Sequence, residues 1–182
     1  MKVSPTAIAG CYQIQPRVHQ DSRGCFFESF HLEKFHQATG INPHFVQDNQ
    51  AESTYGVVRG LHYQSDPYAQ AKWVRVVEGE IRDVVVDLRK SSPSFGKTVA
   101  VDLSAQNRTQ LFVPRGCAHG YAVLSEKATV LYKTDQYYAP SAEKGIMPLD
   151  HALNIAWGIS PEKMLINARD QAWPSFQDQD FF

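Results

Sequence analysis

No run of about 18 consecutive apolar residues, the length a membrane-spanning helix requires, occurs in the chain. Met1-Lys2-Val3-Ser4-Pro5-Thr6 leads into Ala7-Ile8-Ala9-Gly10-Cys11-Tyr12 without the apolar core of a signal peptide. Neither membrane spanning nor secretion is expected. Cysteine is scarce: Cys11, Cys25 and Cys117 are odd in number, far apart and without a CxxC pair. That argues against a disulfide framework or zinc knuckle and suits a reducing cytoplasm. Charge of one sign is not in excess either. A formal net charge of -1 gives no general pull toward nucleic acid or anionic membrane, so an anionic ligand must be met by locally placed cations. Repeats, low-complexity tracts and long linkers are also missing. The 182 residues therefore read as one domain, 1–182, long enough to bury a core without disulfide or metal.

What is present is a succession of short strand-like runs. Cys11 to Gln15 and Cys25 to Phe30 flank the turn Asp21-Ser22-Arg23-Gly24, and Lys97 to Leu103, Thr109 to Val113, Cys117 to Leu124 and Ala128 to Tyr138 follow. Spacing of roughly ten residues between such runs is that of a sandwich or barrel. Glu78-Gly79-Glu80 carries a hairpin signature leading into Ile81 to Leu88. Leu32, Phe35 and Ala38 stand at helical spacing and Gly40 follows, which predicts one short helix. His31, His36 and His44 read as surface residues. Near the C-terminus, Met164-Leu165-Ile166 reads as one more short strand, and Pro174 to Phe182 as a tail that packs by its aromatics or frays.

Chemistry concentrates between Val57 and Trp73. Arg59, His62 and Lys72 lie among apolar neighbours there, and each costs free energy to desolvate unless it is paired or used. Such crowding asks for an anionic or enolisable partner. Strand alternation puts Val58, Gly60 and His62 on one face and Arg59, Leu61 and Tyr63 on the other, so Arg59 and His62 share a face only if a bulge re-aims one. Lys72 falls in phase with Val74 and Val76; it either faces the interior or snorkels to water. The amides of Gln47, Asn49 and Gln50 suit either sugar hydroxyls or loop bracing.

The strings Asp21-Ser22-Arg23-Gly24, Phe45-Val46-Gln47-Asp48-Asn49, Val58-Arg59-Gly60-Leu61-His62-Tyr63-Gln64, Ala69-Gln70-Ala71-Lys72, Pro114-Arg115-Gly116-Cys117-Ala118-His119-Gly120 and Leu131-Tyr132-Lys133-Thr134 occur in that order. With them the chain resembles the dTDP-4-dehydrorhamnose 3,5-epimerase family over nearly its whole length. The resemblance implies a mainly β, cupin-like jelly roll of two antiparallel sheets with a few short helices. It further implies a homodimer that exchanges N-terminal strands, a C-terminal segment capping the pocket, a dTDP-linked 4-keto-6-deoxyhexose substrate, and neither cofactor nor metal. By motif match, His62 is the base, Asp170 holds it, Lys72 supports the enolate and Tyr132 donates the proton. Substrate contact falls to Arg23, Phe26, Glu28, Gln47, Asn49, Arg59, His119, Tyr138 and Glu143, joined by Arg169, a cation where the family usually has lysine. The flank Ile166-Asn167-Ala168-Arg169 departs from the family's Ser-x-Lys-Asp run, and Trp73 and Cys117 replace more usual residues.

The side chains suit that chemistry. A ketone at C4 acidifies the hydrogens on C3 and C5, so inversion needs a base on one face of the ring and an acid on the other. An ordinary imidazole, with pKa about 6.5, accepts a proton near neutrality, and an aspartate on its other nitrogen fixes the tautomer. A lysine placed where enolate charge develops is worth about 3 kcal/mol. A phenol of pKa about 10 can deliver a proton, Arg23 and Arg59 offer paired donors for a diphosphate, and Phe26 and Tyr138 can stack on the base. Other readings stay open: inversion at C3 or C5 only, another nucleotide sugar, a non-catalytic nucleotide-sugar-binding cupin, or a metal-dependent cupin. For the last, His62 is followed by Tyr63-Gln64, with no second histidine two positions on.

Overall fold

Alternating and β-branched runs recur along the chain, and in a computed structural model describing residues 1–182 they form two facing sheets. The first has six strands in the order β1 (Lys2–Pro5), β2 (Tyr12–Gln15), β10 (Gln110–Val113), β7 (Lys72–Glu78), β12 (Lys127–Thr134) and β5 (Gln47–Thr54). The second runs β13 (Glu143–Gly145), β6 (Val57–Gln64), β11 (Cys117–Val123), β8 (Glu80–Asp87) and β9 (Thr98–Ser104), with β14 (Leu165–Ile166) added parallel to β6. All other neighbouring strands pair antiparallel. Strands β3 (Val18–Asp21) and β4 (Gly24–Phe27) pair only with each other. The helices are α1 (Leu32–Thr39) and α2 (Ala168–Gln171). This mainly β, two-sheet architecture is the expected one.

Three apolar layers hold most of the buried apolar residues. Between the sheets, Val74, Val76 and Val130 of the first meet Ile81, Val85, Tyr121 and Val123 of the second. Outside the first sheet, Phe35 of α1 seats on Trp73 and Phe112 with ring centroids 5.0 and 4.8 Å away. Outside the second, Val58, Leu61, Val84, Val86 and Ala118 are covered by Ile146, Trp157, Phe181 and Phe182. Because both its faces are covered, β11 is buried along its whole length. The aromatic tail packs rather than frays.

Some local expectations are corrected. The turn at Gly79 does not close a hairpin: β7 pairs with β10 and β12, whereas β8 pairs with β11 and β9. The chain crosses there from one sheet to the other, so that Val76 and Ile81 enter the same central core from opposite walls. Strand β12 stops at Thr134 rather than Tyr138, since the Asp135 carboxylate is engaged by the Ala71 amide at 2.6 Å and by Arg115 Nε at 2.9 Å. Strand β4 stops at Phe27, and Phe30 turns away to pack on Trp73. His31 caps α1, accepting from the Lys34 amide at 3.4 Å. No helix is long and apolar enough to cross a membrane.

Candidate active site

A bulge in β6 sets the geometry. His62 pairs with His119 and Arg59 with Tyr121, so that Gly60 and Leu61 together oppose Gly120 alone. One extra residue reverses the alternation: Val58 and Leu61 both pack outward, while Arg59 and His62 both turn inward. Gly60 is required at this crossing, for its φ is +121° and a Cβ would lie 2.6 Å from Gly120 Cα.

Asp170 arrives from the other side. Strand β14, lying along β6, delivers the chain to α2, whose N-cap Asn167 accepts from the Asp170 amide at 2.7 Å. The Asp170 carboxylate is 1% exposed. Its Oδ1 lies 2.7 Å from His62 Nε2, its Oδ2 accepts from the Gly60 amide at 3.1 Å, and Trp173 Nε1 donates to Oδ1 at 3.3 Å. Burial alone would raise the pKa of this carboxyl, but the bonds from His62, Gly60 and Trp173 outweigh it and hold the group below its ordinary value. With Nε2 bonded to the carboxylate, Nδ1 is the ring nitrogen left to face the cavity.

Lys72 does not snorkel. Its ammonium crosses between the sheets and donates to the His62 carbonyl at 3.5 Å. Burial pulls its pKa down to about 8, against the opposing pull of Asp83 and Glu143. His119 Nε2 binds Asp83 Oδ1 at 2.7 Å; burial lowers the His119 pKa, although the Asp83 charge opposes this. Tyr132 stands on β12, in the sheet opposite His62, and burial raises its pKa. Around this centre, Arg59 Nε donates to Ser53 Oγ at 3.0 Å and Gln47 Nε2 to Asn49 Oδ1 at 2.8 Å. Glu143 accepts from Tyr138 at 2.5 Å and pairs with Arg169.

Three named residues are not brought to this cavity within the chain. Arg23 is tied to Asp21 of its own turn, Phe26 is 69% exposed, and Glu28 binds Lys34. All stand on or beside the β3–β4 hairpin. The sequence reading also passed over Asp83 and Trp173. Asp83 was detectable: it falls in phase with Ile81 and Val85, where a carboxylate needs a partner. Its Oδ2 and the Tyr121 hydroxyl, directly across the β8–β11 pair, are buried without a hydrogen-bond partner, an arrangement a hydroxylated ligand can satisfy. No three His, Cys, Asp or Glu side chains converge as a metal site needs.

Comparison with known proteins places the chain in a family. The family model described as dTDP-4-dehydrorhamnose 3,5-epimerase matches residues 5–178. A dTDP-4-dehydrorhamnose 3,5-epimerase from Shigella flexneri is 48% identical over 182 residues, covering 100% of this chain and 99% of its own. The crystal structure of the enzyme of that name from Elizabethkingia anophelis NUHP1 superposes with a TM-score of 0.96 at 46% identity, over 100% of this chain and 99% of that one. A dTDP-6-deoxy-D-glucose-3,5-epimerase from Legionella pneumophila Philadelphia 1, in complex with dTDP-4-keto-L-rhamnose, gives 0.93 at 41% identity, over 98% and 94%. The chain belongs to the dTDP-4-dehydrorhamnose 3,5-epimerase family.

Proposed function

We infer that the protein epimerises dTDP-4-keto-6-deoxy-D-glucose at C3 and C5 to dTDP-4-keto-L-rhamnose. The observation that carries this reading is the division of groups between two walls: His62, with Asp170 behind it, stands on one sheet, and Tyr132 and Lys72 stand on the other. A sugar ring held between the walls meets a base on one face and an acid on the other. His62 takes the proton next to the ketone, Asp170 stabilises the resulting imidazolium, Lys72 meets the charge developing on the enolate oxygen, and Tyr132 returns a proton from the opposite face. Arg59, Gln47, Asn49, His119, Tyr138, Glu143 and Arg169 hold the sugar and diphosphate.

Within the same reading the working unit is a homodimer. Arg23, Phe26 and Glu28 lie on or beside a hairpin that pairs with no other strand of its own chain, and they serve the cavity of a second copy. Residues 1–182 act as one jelly-roll epimerase domain whose C-terminal segment closes over His62. The enzyme works in the cytoplasm, where its three free cysteines stay reduced. Proton NMR of the substrate in deuterated buffer tests the reaction. Loss of both the C3 and C5 signals with appearance of the inverted sugar is expected, loss of one alone makes this a mono-epimerase, and loss of neither removes the reading.

A further inference from the structure

Trp173 lies three residues beyond Asp170, against the carboxylate on which the base depends. Its indole Nε1 donates to Asp170 Oδ1 at 3.3 Å, the same oxygen that binds His62 Nε2 at 2.7 Å. The indole meets the His62 ring edge-on, with centroids 6.5 Å apart and planes at 72°, while the Arg169 guanidinium stands 5.4 Å from the indole centroid. Gly145, paired with His62 across β13 and β6, leaves room for the ring: a Cβ there would lie 2.5 Å from the indole nitrogen. The next residue is anchored, since the Pro174 carbonyl accepts from the Met147 amide at 3.1 Å.

We propose that Trp173 is a positioning residue for the epimerisation, its indole N–H sharing Asp170 Oδ1 with His62 so that it both orients the carboxylate and moderates its hold on the protonated base. This rests on the reading of His62 as that base. A carboxylate oxygen with a second donor has part of its charge neutralised; without that donor, more of the charge is left to stabilise the imidazolium. Removing the N–H therefore strengthens the carboxylate's hold on the imidazolium, and a ring held as imidazolium is idle as a base. The other charged or titratable groups facing His62 are Asp170 itself, Lys72 from β7, His119 with Asp83 behind it, and Glu143 with Arg169 at the rim. Of these, Asp170 and Arg169 touch the Trp173 indole, and only the bond to Asp170 depends on its N–H.

Trp173→Phe keeps a ring against His62 and Arg169 and deletes the donor. The acid limb of its kcat/KM profile is expected to move up by on the order of half a pH unit, with kcat down about threefold to tenfold. Trp173→His can place a ring nitrogen where the indole nitrogen stood, and is expected to restore kcat at pH 8 to within about twofold of wild type. In the unaltered protein, the Trp173 indole 1H–15N resonance should shift with the same pH midpoint as the acid limb, a readout that does not depend on any variant folding. An acid limb unmoved in Trp173→Phe, or an indole resonance indifferent to pH across it, overturns the proposal and leaves Trp173 a filler. His62→Asn separates the two ideas: continued C3 and C5 exchange in that variant removes the base reading itself, whereas an inactive His62→Asn beside an unmoved limb in Trp173→Phe removes only the role of Trp173.

Discussion

Arg59 and His62 stand three positions apart on β6 and face the same cavity, because Gly60 and Leu61 share the single partner Gly120. Gly60→Ala puts a methyl group 2.6 Å from Gly120 Cα and 2.9 Å from the His119 carbonyl, at a φ of +121°. The expected cost is about 2–4 kcal/mol in urea unfolding. Turnover should fall at least about a hundredfold, since a displacement of about 1 Å is enough to do so. A variant with both stability and turnover near wild type would show that the bulge does not aim the site.

His62→Ala should abolish solvent exchange at both C3 and C5 while leaving dTDP affinity within about threefold, because the imidazole acts on the sugar and not on the nucleotide. Tyr132→Phe, lacking only the hydroxyl, should slow formation of the inverted sugar more than washout of substrate hydrogen. Equal slowing of both would break the division of labour between base and acid.

The strands, the helix α1 and the crowding of Arg59, His62 and Lys72 in one segment were legible because they rest on local spacing. Alternation, however, describes an unbroken strand, and the bulge at Gly60 depends on how closely β11 approaches. The turn at Glu78-Gly79-Glu80 carries the local chemistry of a hairpin, yet whether β7 and β8 pair or part is decided by the strands competing for their edges. His119 was named only through the family resemblance; its bond to Asp83 spans 36 positions, and the phase of Asp83 with Ile81 and Val85 signals the need for a partner without saying which. The Asp170 interaction with His62 spans 108 positions, and here too the resemblance, not the spacing, connected them.

Lys72 carries a pH dependence of its own. With its pKa pulled down to about 8 by burial, the ammonium is present below that pH and lost above it. Stabilisation of the enolate by that charge makes kcat/KM fall as pH rises through about 8. Lys72→Arg, charged throughout, should lose this alkaline limb even where its rate is lower, and Lys72→Met should lose about 10²–10³ in kcat. An alkaline limb that survives in Lys72→Arg assigns it to another group.

Asp87 reports on stability rather than catalysis. Its fully buried carboxylate accepts from Arg89 Nε at 2.7 Å and from the hydroxyls of Ser92 and Ser94, each at 2.6 Å. Burial raises its pKa, but these bonds outweigh that and bring it down to about 2. A lowered folded-state value contributes stability that is present above the unfolded value near 3.9 and lost as pH falls toward 2. Asp87→Asn should cost roughly 2 kcal/mol at pH 7 and flatten the dependence of urea unfolding on pH between about 4 and 2. An unchanged slope there would mean that the acid sensitivity lies in other carboxylates.

The hairpin makes the strongest prediction about assembly. Should Arg23 serve the cavity of a second copy, Arg23→Ala and His62→Ala damage different halves of one composite site. Random pairing of the two variants yields heterodimers half of the time. In each heterodimer, the cavity of the Arg23→Ala chain keeps its own His62 and receives an intact hairpin, while the other cavity carries both defects. One cavity in four is then whole, and co-expression should recover about a quarter of wild-type activity from two nearly inactive proteins. A hairpin acting on its own cavity gives no such recovery, for every site would then retain one lesion. Activity at the mean of the separate variants, with heterodimers confirmed by mass spectrometry, would place Arg23 outside the partner's site.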